Sequence, residues 1–256
     1  MYQYVINLCC FEALDFAYFR PMQAYGKLYL IPNFLADDNP DNFLAQYNRE
    51  QVHHIKHFIV ETEKDARALI KRLQIATPQN ELQLFVWNEH SNKNEVTHML
   101  KALENGMDAG IITDAGLPCV ADPGSDIVAL AHQKNIQVIP LPGASSILMA
   151  LMASGMNGQG FTFHGYIPID KIARAKKIKE LETDARKRNQ SQIFMEAPYR
   201  NNQLLEDVLK NTDSNTRICV AMNISAANQF IKTHTNKQWQ TTKVDLHKKP
   251  VIFIIG

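Results

Sequence analysis

Hydrophobic positions fall along this chain in short blocks of two alternating kinds. Compact runs at 27–32 (KLYLIP), 55–60 (IKHFIV), 83–87, 110–113 (GIIT) and 136–140 (IQVIP) predict strands, the first of them short, buried and ended by proline. Between them, residues 41–50, 63–74, 94–104, 125–134 and 144–154 predict helices. In the second of these, Ala66, Leu69, Ile70 and Leu73 recur at i, i+3, i+4 and i+7, one amphipathic face. Gly106 is suited to stop the third, and Ser125 to cap the fourth. The fifth is rich in small residues, and Met149, Met152 and Met156 in and just after it read as core packing. Strands alternating with helices in this way predict βαβ units around a mainly parallel sheet.

The pattern changes after the run Gly155, Gly158, Gly160, which marks a domain boundary. A basic helix at 171–189 precedes a strand at 192–196. A helix at 201–211 and strands at 217–222 and 250–255 follow. Strands with fewer intervening helices predict a mixed sheet. The expected fold class is therefore α/β in two parts: an N-terminal α/β domain at 22–157 and a C-terminal α+β domain at 158–256. Residues 1–21 read as a leader or a loosely attached appendage ahead of Met22. They are apolar at first, but Glu12 and Asp15 interrupt the run, and no basic start or small-residue cleavage site makes it a secretory signal.

Composition narrows the function classes. The chain has 256 residues, of which 45% are hydrophobic and 21% charged, enough apolar content for a sizeable core. The net charge of +1 gives no general affinity for polyanions, so any nucleic-acid contact must come from local patches. The four cysteines, Cys9, Cys10, Cys119 and Cys219, have no zinc or disulfide spacing and suit a reducing, cytoplasmic setting. No apolar run reaches the roughly 18 residues that span a bilayer. His53, His54 and His57 lie close together, but no carboxylate or cysteine completes a metal set, and none is expected.

Two loops carry the chemistry. Residues 113–124 read T-D-A-G-L-P-C-V-A-D-P-G, with two prolines, two glycines and two aspartates between a strand and a helix. In an open α/β sheet the carboxyl ends of strands are where ligands bind, and glycines there allow close approach of backbone amides. A D-P-G alone suits a structural loop with Asp122 or Ser125 as a helix cap; the full string points to a ligand. The second loop, residues 140–146, reads P-L-P-G-A-S-S and opens a helix, so its free amides and hydroxyls suit a polar ligand group. There is no G-x-G-x-x-G and no G-x-x-x-x-G-K-[ST], against the usual dinucleotide and nucleoside-triphosphate sites.

These two loops together resemble the paired motifs of the ribosomal-RNA small-subunit methyltransferase I family, a branch of the tetrapyrrole methylases. Further matches keep the same order. Gly165-Tyr166-Ile167-Pro168 is similar to the family's G-F-L-P with a basic stretch after it, and residues 194–200 (FMEAPYR) to its F-Y-E-S-P-H-R. Residues 60–64 (VETEK) stand where the family has E-D-T-R. The resemblance covers about residues 27–256. It implies a tetrapyrrole-methylase fold, S-adenosyl-L-methionine as methyl donor in a cleft between two α/β domains, and a homodimer. Carried over, Asp114, Ala115, Gly116, Pro118, Asp122, Pro123 and Gly124 would wall the cofactor, with Ala144, Ser145 and Ser146 from the second loop. Met195, Ala221 and Ile254, placed by strand order, would line its adenosine side.

The implied activity is a methyltransferase acting on a ribose 2′-hydroxyl of ribosomal RNA in the small subunit. Such an acceptor needs a proton acceptor, for which Glu61 and Glu196 are candidates; each also suits a strand-end salt bridge. Lys64 and Arg200 are candidates for a substrate phosphate. The helix at 171–188 carries eight Lys or Arg against three acids and matches the family's basic, RNA-facing segment. Two stretches depart from the family. Its glycine-rich G-T-P-I-G-N-L is replaced by residues 32–38 (PNFLADD), where close backbone approach is harder, and its A-R-E-L-T-K by residues 221–226 (AMNISA), which lack the charges. Two rival readings fit those departures: a small-molecule, tetrapyrrole-type methylase, and a non-catalytic RNA-binding relative.

Overall fold

The computed structural model describes residues 24–36, 45–92 and 96–256. The expected appendage at 1–21 and the start of the first expected helix lie outside the described residues. Strands β1 (Leu28–Ile31), β2 (His57–Val60), β3 (Gln83–Val86), β4 (Ala109–Ile112) and β5 (Val138–Pro140) form one sheet in the order β3-β2-β4-β1-β5. Every pairing in it is parallel. β2 and β4 are buried at every position, as parallel strands covered on both faces must be.

Helices α1 (Gln46–Val52), α2 (Glu63–Leu73), α3 (Val96–Met99), α4 (Lys101–Glu104) and α5 (Ser125–Gln133) connect these strands. α2 buries the four residues of its apolar face, and each of Leu69, Ile70 and Leu73 contributes on the order of 1.5–3 kcal/mol. The helix expected at 94–104 is broken at Leu100, which leaves the regular helix and lets Met99, Leu100 and Leu103 all reach the same core. Ser125 is not the cap of α5. Gly124 stands there, and its amide is held by the Asp122 carboxylate instead.

Helix α6 (Ser146–Ser154) leads to a second sheet of β6 (Phe161–Tyr166), β7 (Ser191–Met195), β8 (Arg217–Met222), β9 (Phe230–Thr235) and β10 (Val251–Ile255). Its order is β6-β7-β10-β8-β9, with β6 parallel to β7 and the other pairs antiparallel, a mixed sheet. Helices α7 (Lys171–Arg188), α8 (Asn201–Asn211) and α9 (Asn236–Trp239) complete it. The two edge strands, β6 and β9, are not anticipated by the sequence reading. Both are only partly covered, and neither has the uniform apolar run of a central strand.

The glycine-marked seam falls between the two sheets, yet α6 on its N-terminal side packs Ile147, Ala150 and Leu151 onto the second sheet. Met149 and Met156 join that packing, whereas Met152 is 83% exposed on the opposite face of the helix and is not core.

Candidate functional site

The carboxyl ends of β4, β1 and β5 lie side by side, and their loops are tied together before any ligand is considered. Asn33, just past β1, donates its amide to the Gly116 carbonyl (2.8 Å). Its buried side chain donates to the Thr113 and Asp114 carbonyls (2.9 and 3.0 Å) and accepts from the Phe34 amide (2.8 Å). The loop that lacks glycine is thus tied to the 113–124 loop through the Asn33 side chain. Gly143 fits against β1 only because it has no Cβ, since one would sit 2.2 Å from the Pro32 Cβ.

The 113–124 loop is rigid and partly left-handed. Gly116, Cys119 and Ala121 have φ of 72°, 66° and 60°. For a residue with a Cβ that conformation costs on the order of 1–2 kcal/mol. The Asp122 carboxylate holds it by accepting from the Gly124 amide (2.6 Å) and the Cys119 amide (3.4 Å). The Trp87 indole donates to the Pro123 carbonyl (3.0 Å). Burial, aided by Asp122, pushes the Cys119 thiol up to about 12, so it stays protonated and is no nucleophile.

Glu61, at the end of β2, accepts from the Thr113 hydroxyl and the Asp114 amide, both at 3.1 Å. Asp114 in turn accepts from the Thr62 hydroxyl (2.8 Å). Burial raises the Glu61 pKa above its ordinary value, opposed by those two hydrogen bonds. Its carboxylate is therefore occupied in holding the loop.

Between the sheets lies a cavity of about 300 Å³. Leu35, Ala115, Val120 and Ala121 form its first wall, and Ser146 and Ile147 at the start of α6 its floor. Met195, Glu196, Ala221, Ile224 and Ile252 form the opposite wall, with Tyr166 and Pro198 also lining it. Met195, Ile252 and Ala221 are paired across β7, β10 and β8, so they stand in one row on one face. Ile254 is on the same face but two residues further along, fully buried beneath α6, and Ile252 takes the cavity position instead.

Glu196 is almost completely buried. Its Oε1 accepts from the Arg200 guanidinium (2.6 Å) and from the Ala197 amide (2.7 Å), while its Oε2 is buried with no hydrogen-bond partner. Hydrogen bonding to Glu196 raises the Arg200 pKa, keeping the guanidinium charged.

Of the residues singled out in the sequence, Ala115, Ser146, Met195, Glu196 and Ala221 come together around this cavity. Asp114 lines an adjoining cavity of about 230 Å³ with Asn33 and Arg72. Leu35 and Ala115 belong to both cavities. Gly116, Pro118, Asp122, Pro123 and Gly124 build the loop behind the wall. Ser145 caps α6 by accepting from the Leu148 amide (3.4 Å), and the Ala144 carbonyl lies beside Gly116. Lys64 is exposed on the first turn of α2 and does not line the cavity.

The sequence reading missed Leu35, Val120, Ala121, Ile147, Ile224 and Ile252, whose apolar character alone does not distinguish them from core. Tyr166 and Pro198 were inside quoted motifs and were not assigned to the site. His53 and His54 turn to different partners, the Glu50 carbonyl and Asp108. Among the described residues no cluster of three or more histidine, cysteine or acidic side chains is arranged to hold a metal, and no helix is long and apolar enough to cross a membrane.

A parallel sheet and a mixed sheet enclosing a cavity at the strand ends define an α/β protein of the methylase type. Residues 36–239 match the family described as Tetrapyrrole (Corrin/Porphyrin) Methylases, and the chain belongs to that family. Among solved structures it is similar to the methyltransferase CobJ, with a TM-score of 0.61 and 14% identity over 90% of this chain and 94% of that one. It is also similar to uroporphyrin-III C-methyl transferase from Thermus thermophilus complexed with S-adenosyl homocysteine, with a TM-score of 0.53 and 14% identity over 90% and 97%.

Among curated proteins, it is 31% identical over 193 residues to "Ribosomal RNA small subunit methyltransferase I" of Streptococcus pyogenes serotype M6, covering 75% of this chain and 62% of that protein. The like-named protein of Synechocystis sp. is 30% identical over 174 residues, 68% of this chain and 57% of that one. The chain thus spans about three-fifths of the length of the curated relatives it matches.

Proposed function

We propose that the chain is an S-adenosyl-L-methionine-dependent methyltransferase acting on a ribose 2′-hydroxyl of ribosomal RNA, working in the cytoplasm as a homodimer on the small ribosomal subunit. The observation that carries this reading is the cavity between the sheets. Its lining is mostly apolar, and Glu196, whose Oε2 is buried without a protein hydrogen-bond partner, is the one acid that borders it. A mostly apolar pocket with a few polar groups at its edge suits a ligand with a flat face to bury and polar groups to leave at the rim. The adenine of S-adenosyl-L-methionine has such a face, and the residues present fit that part of it. When bound, it supplies an electrophilic methyl on a sulfonium that departs as a neutral thioether.

The protein's contribution to such a displacement is mainly positioning. The wall of Val120 and the left-handed Ala121 and the row Met195, Ile252, Ala221 would hold the two faces of the cofactor, with Ala115 and Ser146 at its edge. Asp114, Gly116, Pro118, Asp122, Pro123, Gly124, Ala144 and Ser145 would act by fixing that wall. Between the two carboxylates, the geometry favours Glu196 as acceptor of the ribose hydroxyl's proton. Both oxygen contacts recorded for Glu61 go to Thr113 and Asp114, whereas Glu196 borders the cavity and one of its oxygens, Oε2, has no protein partner; a side-chain rotation would be needed to bring that oxygen to a substrate. Arg200 would hold Glu196 in place and face the substrate. Lys64 remains a more distant candidate for a phosphate. Lys171, Lys176, Lys177, Lys179 and Lys187 on α7 make no ion pair among the described residues and support a polyanionic partner.

The test is methyl transfer from labelled S-adenosyl-L-methionine to small ribosomal subunits or their RNA, followed by nuclease digestion. Label in a 2′-O-methylated nucleoside is expected. Label on a base, transfer only to a tetrapyrrole, or no transfer would overturn the assignment.

A further inference from the structure

Two tyrosines stand beside the cavity with no packing role. Tyr166, the last residue of β6, and Tyr199, on the 3-10 turn Pro198–Arg200, are 62% and 60% exposed. Neither belongs to any of the buried apolar clusters. Exposed aromatic rings are ordinary when they are mobile and solitary, but Tyr199 is neither. The Arg200 guanidinium lies 4.8 Å from its ring centre and donates to its hydroxyl (2.7 Å). Arg200 is itself fixed to the buried Glu196, and the turn is closed by the Arg200 amide on the Ala197 carbonyl (2.9 Å). Lys248 braces the turn from the other side by donating its amide to the Pro198 carbonyl (3.0 Å). Tyr166 lines the cavity together with Glu196 and Pro198, so it stands at the same end of the cavity as the turn that carries Tyr199.

We infer that Tyr166, Tyr199 and Arg200 form a stacking platform for an unpaired nucleobase of the substrate RNA, at the mouth of the cavity. This rests on the RNA reading above and adds how the acceptor nucleotide is held. Three features select that occupant. A flat π-face matches rings and a guanidinium plane held in fixed positions. Arg200 and Glu196 form an ion pair, so the acid that borders the cavity is matched, and the exposed Lys248 adjoins the turn through its amide. A base stacked inside a duplex offers no free face, so the platform takes single-stranded or looped RNA. With its base on this platform, a nucleotide would place its ribose toward Glu196, four residues before Arg200 and salt-bridged to it.

The experiment measures fluorescence anisotropy of a fluorescein-labelled single-stranded oligoribonucleotide, and of the same strand in a duplex, with the full chain. It compares wild type with Tyr199→Ala, Tyr199→Phe, Tyr199→Trp and Tyr166→Ala. Thermal melting and S-adenosylhomocysteine titration of the Tyr199 variants check that the fold is kept. Loss of one stacked base weakens binding by about tenfold. Tyr199→Ala and Tyr166→Ala are each expected to weaken single-strand binding by about that factor. Tyr199→Phe and Tyr199→Trp should retain it, and the duplex should bind more weakly with no such sensitivity. Wild-type RNA binding that the alanine variants leave unchanged, or a Tyr199→Phe as weak as Tyr199→Ala, would overturn the platform alone. Wild type that binds a porphyrin but no RNA would overturn both the platform and the RNA reading.

Discussion

Asn33 clamps two loops together with one side chain. Its amide group donates to two carbonyls of the neighbouring loop and its oxygen accepts from Phe34, all in a buried place. Each such bond contributes about 0.5–1.5 kcal/mol net, and buried partners left unsatisfied add to the loss. Asn33→Ala is therefore expected to lower stability by about 2–3 kcal/mol in chemical denaturation, and Asn33→Asp by more, since it turns an oxygen toward two carbonyls. The residue could not be read from sequence as a loop clamp, because its partners lie 80 and 81 positions away.

Glu61 gives a second residue-scale prediction. Burial raises its native pKa above the ordinary 4.5, so the native state holds that proton more tightly than the unfolded chain. The resulting stabilisation is complete below the ordinary value and is lost as pH rises through the native one. The stability of wild type relative to Glu61→Gln should accordingly fall as pH rises through that window. A relative stability that rises with pH would contradict the direction of the shift.

At the scale of elements, α7 is the segment whose reading changes most. Its eight basic residues suggested one RNA-facing surface. Arg174 instead points inward and donates through two nitrogens to Asp207 of α8 (2.9 and 2.6 Å), with both side chains buried. Arg186 pairs with Asp213 and Arg188 with Asp184, which leaves the lysines to carry the surface charge. A charge count cannot separate a buried arginine from a solvated one when its partner lies on another helix.

The ion pair fixes how α7 sits on α8. Arg174→Ala, which strands a buried carboxylate, should cost about 3–5 kcal/mol, whereas Arg174→Met combined with Asp207→Leu should recover most of it. Equal losses in the single and double variants, measured by denaturant titration, would contradict this account. Of the strands that sequence patterning recovered, β2, β4, β8 and β10 are covered and have continuous apolar runs, whereas β3 and β5 are partly exposed edges marked by their place in the strand-helix alternation. The missed β6 and β9 are edges with mixed side chains, where the two-residue period is blurred.

At the scale of the molecule, the site exists only because the two sheets face each other. The two motif loops were legible because prolines, glycines and aspartates in that order constrain backbone shape. The opposite wall was legible only in part: Met195 and Ala221 were found, but β10 was entered at Ile254 instead of Ile252. A two-residue period keeps both on one face, and only the depth of α6 over the sheet distinguishes them. Methyl transfer at this site requires the cavity to hold S-adenosyl-L-methionine.

Calorimetric titration with S-adenosylhomocysteine, on wild type and on Ala115→Trp, tests that claim most directly. Ala115 lines the cavity from an exposed position, so the indole should block it without disturbing the core. The expected result is micromolar binding of one ligand per chain by wild type, lost in the folded variant. No binding by wild type at high micromolar ligand, or equal binding by both proteins, would contradict it.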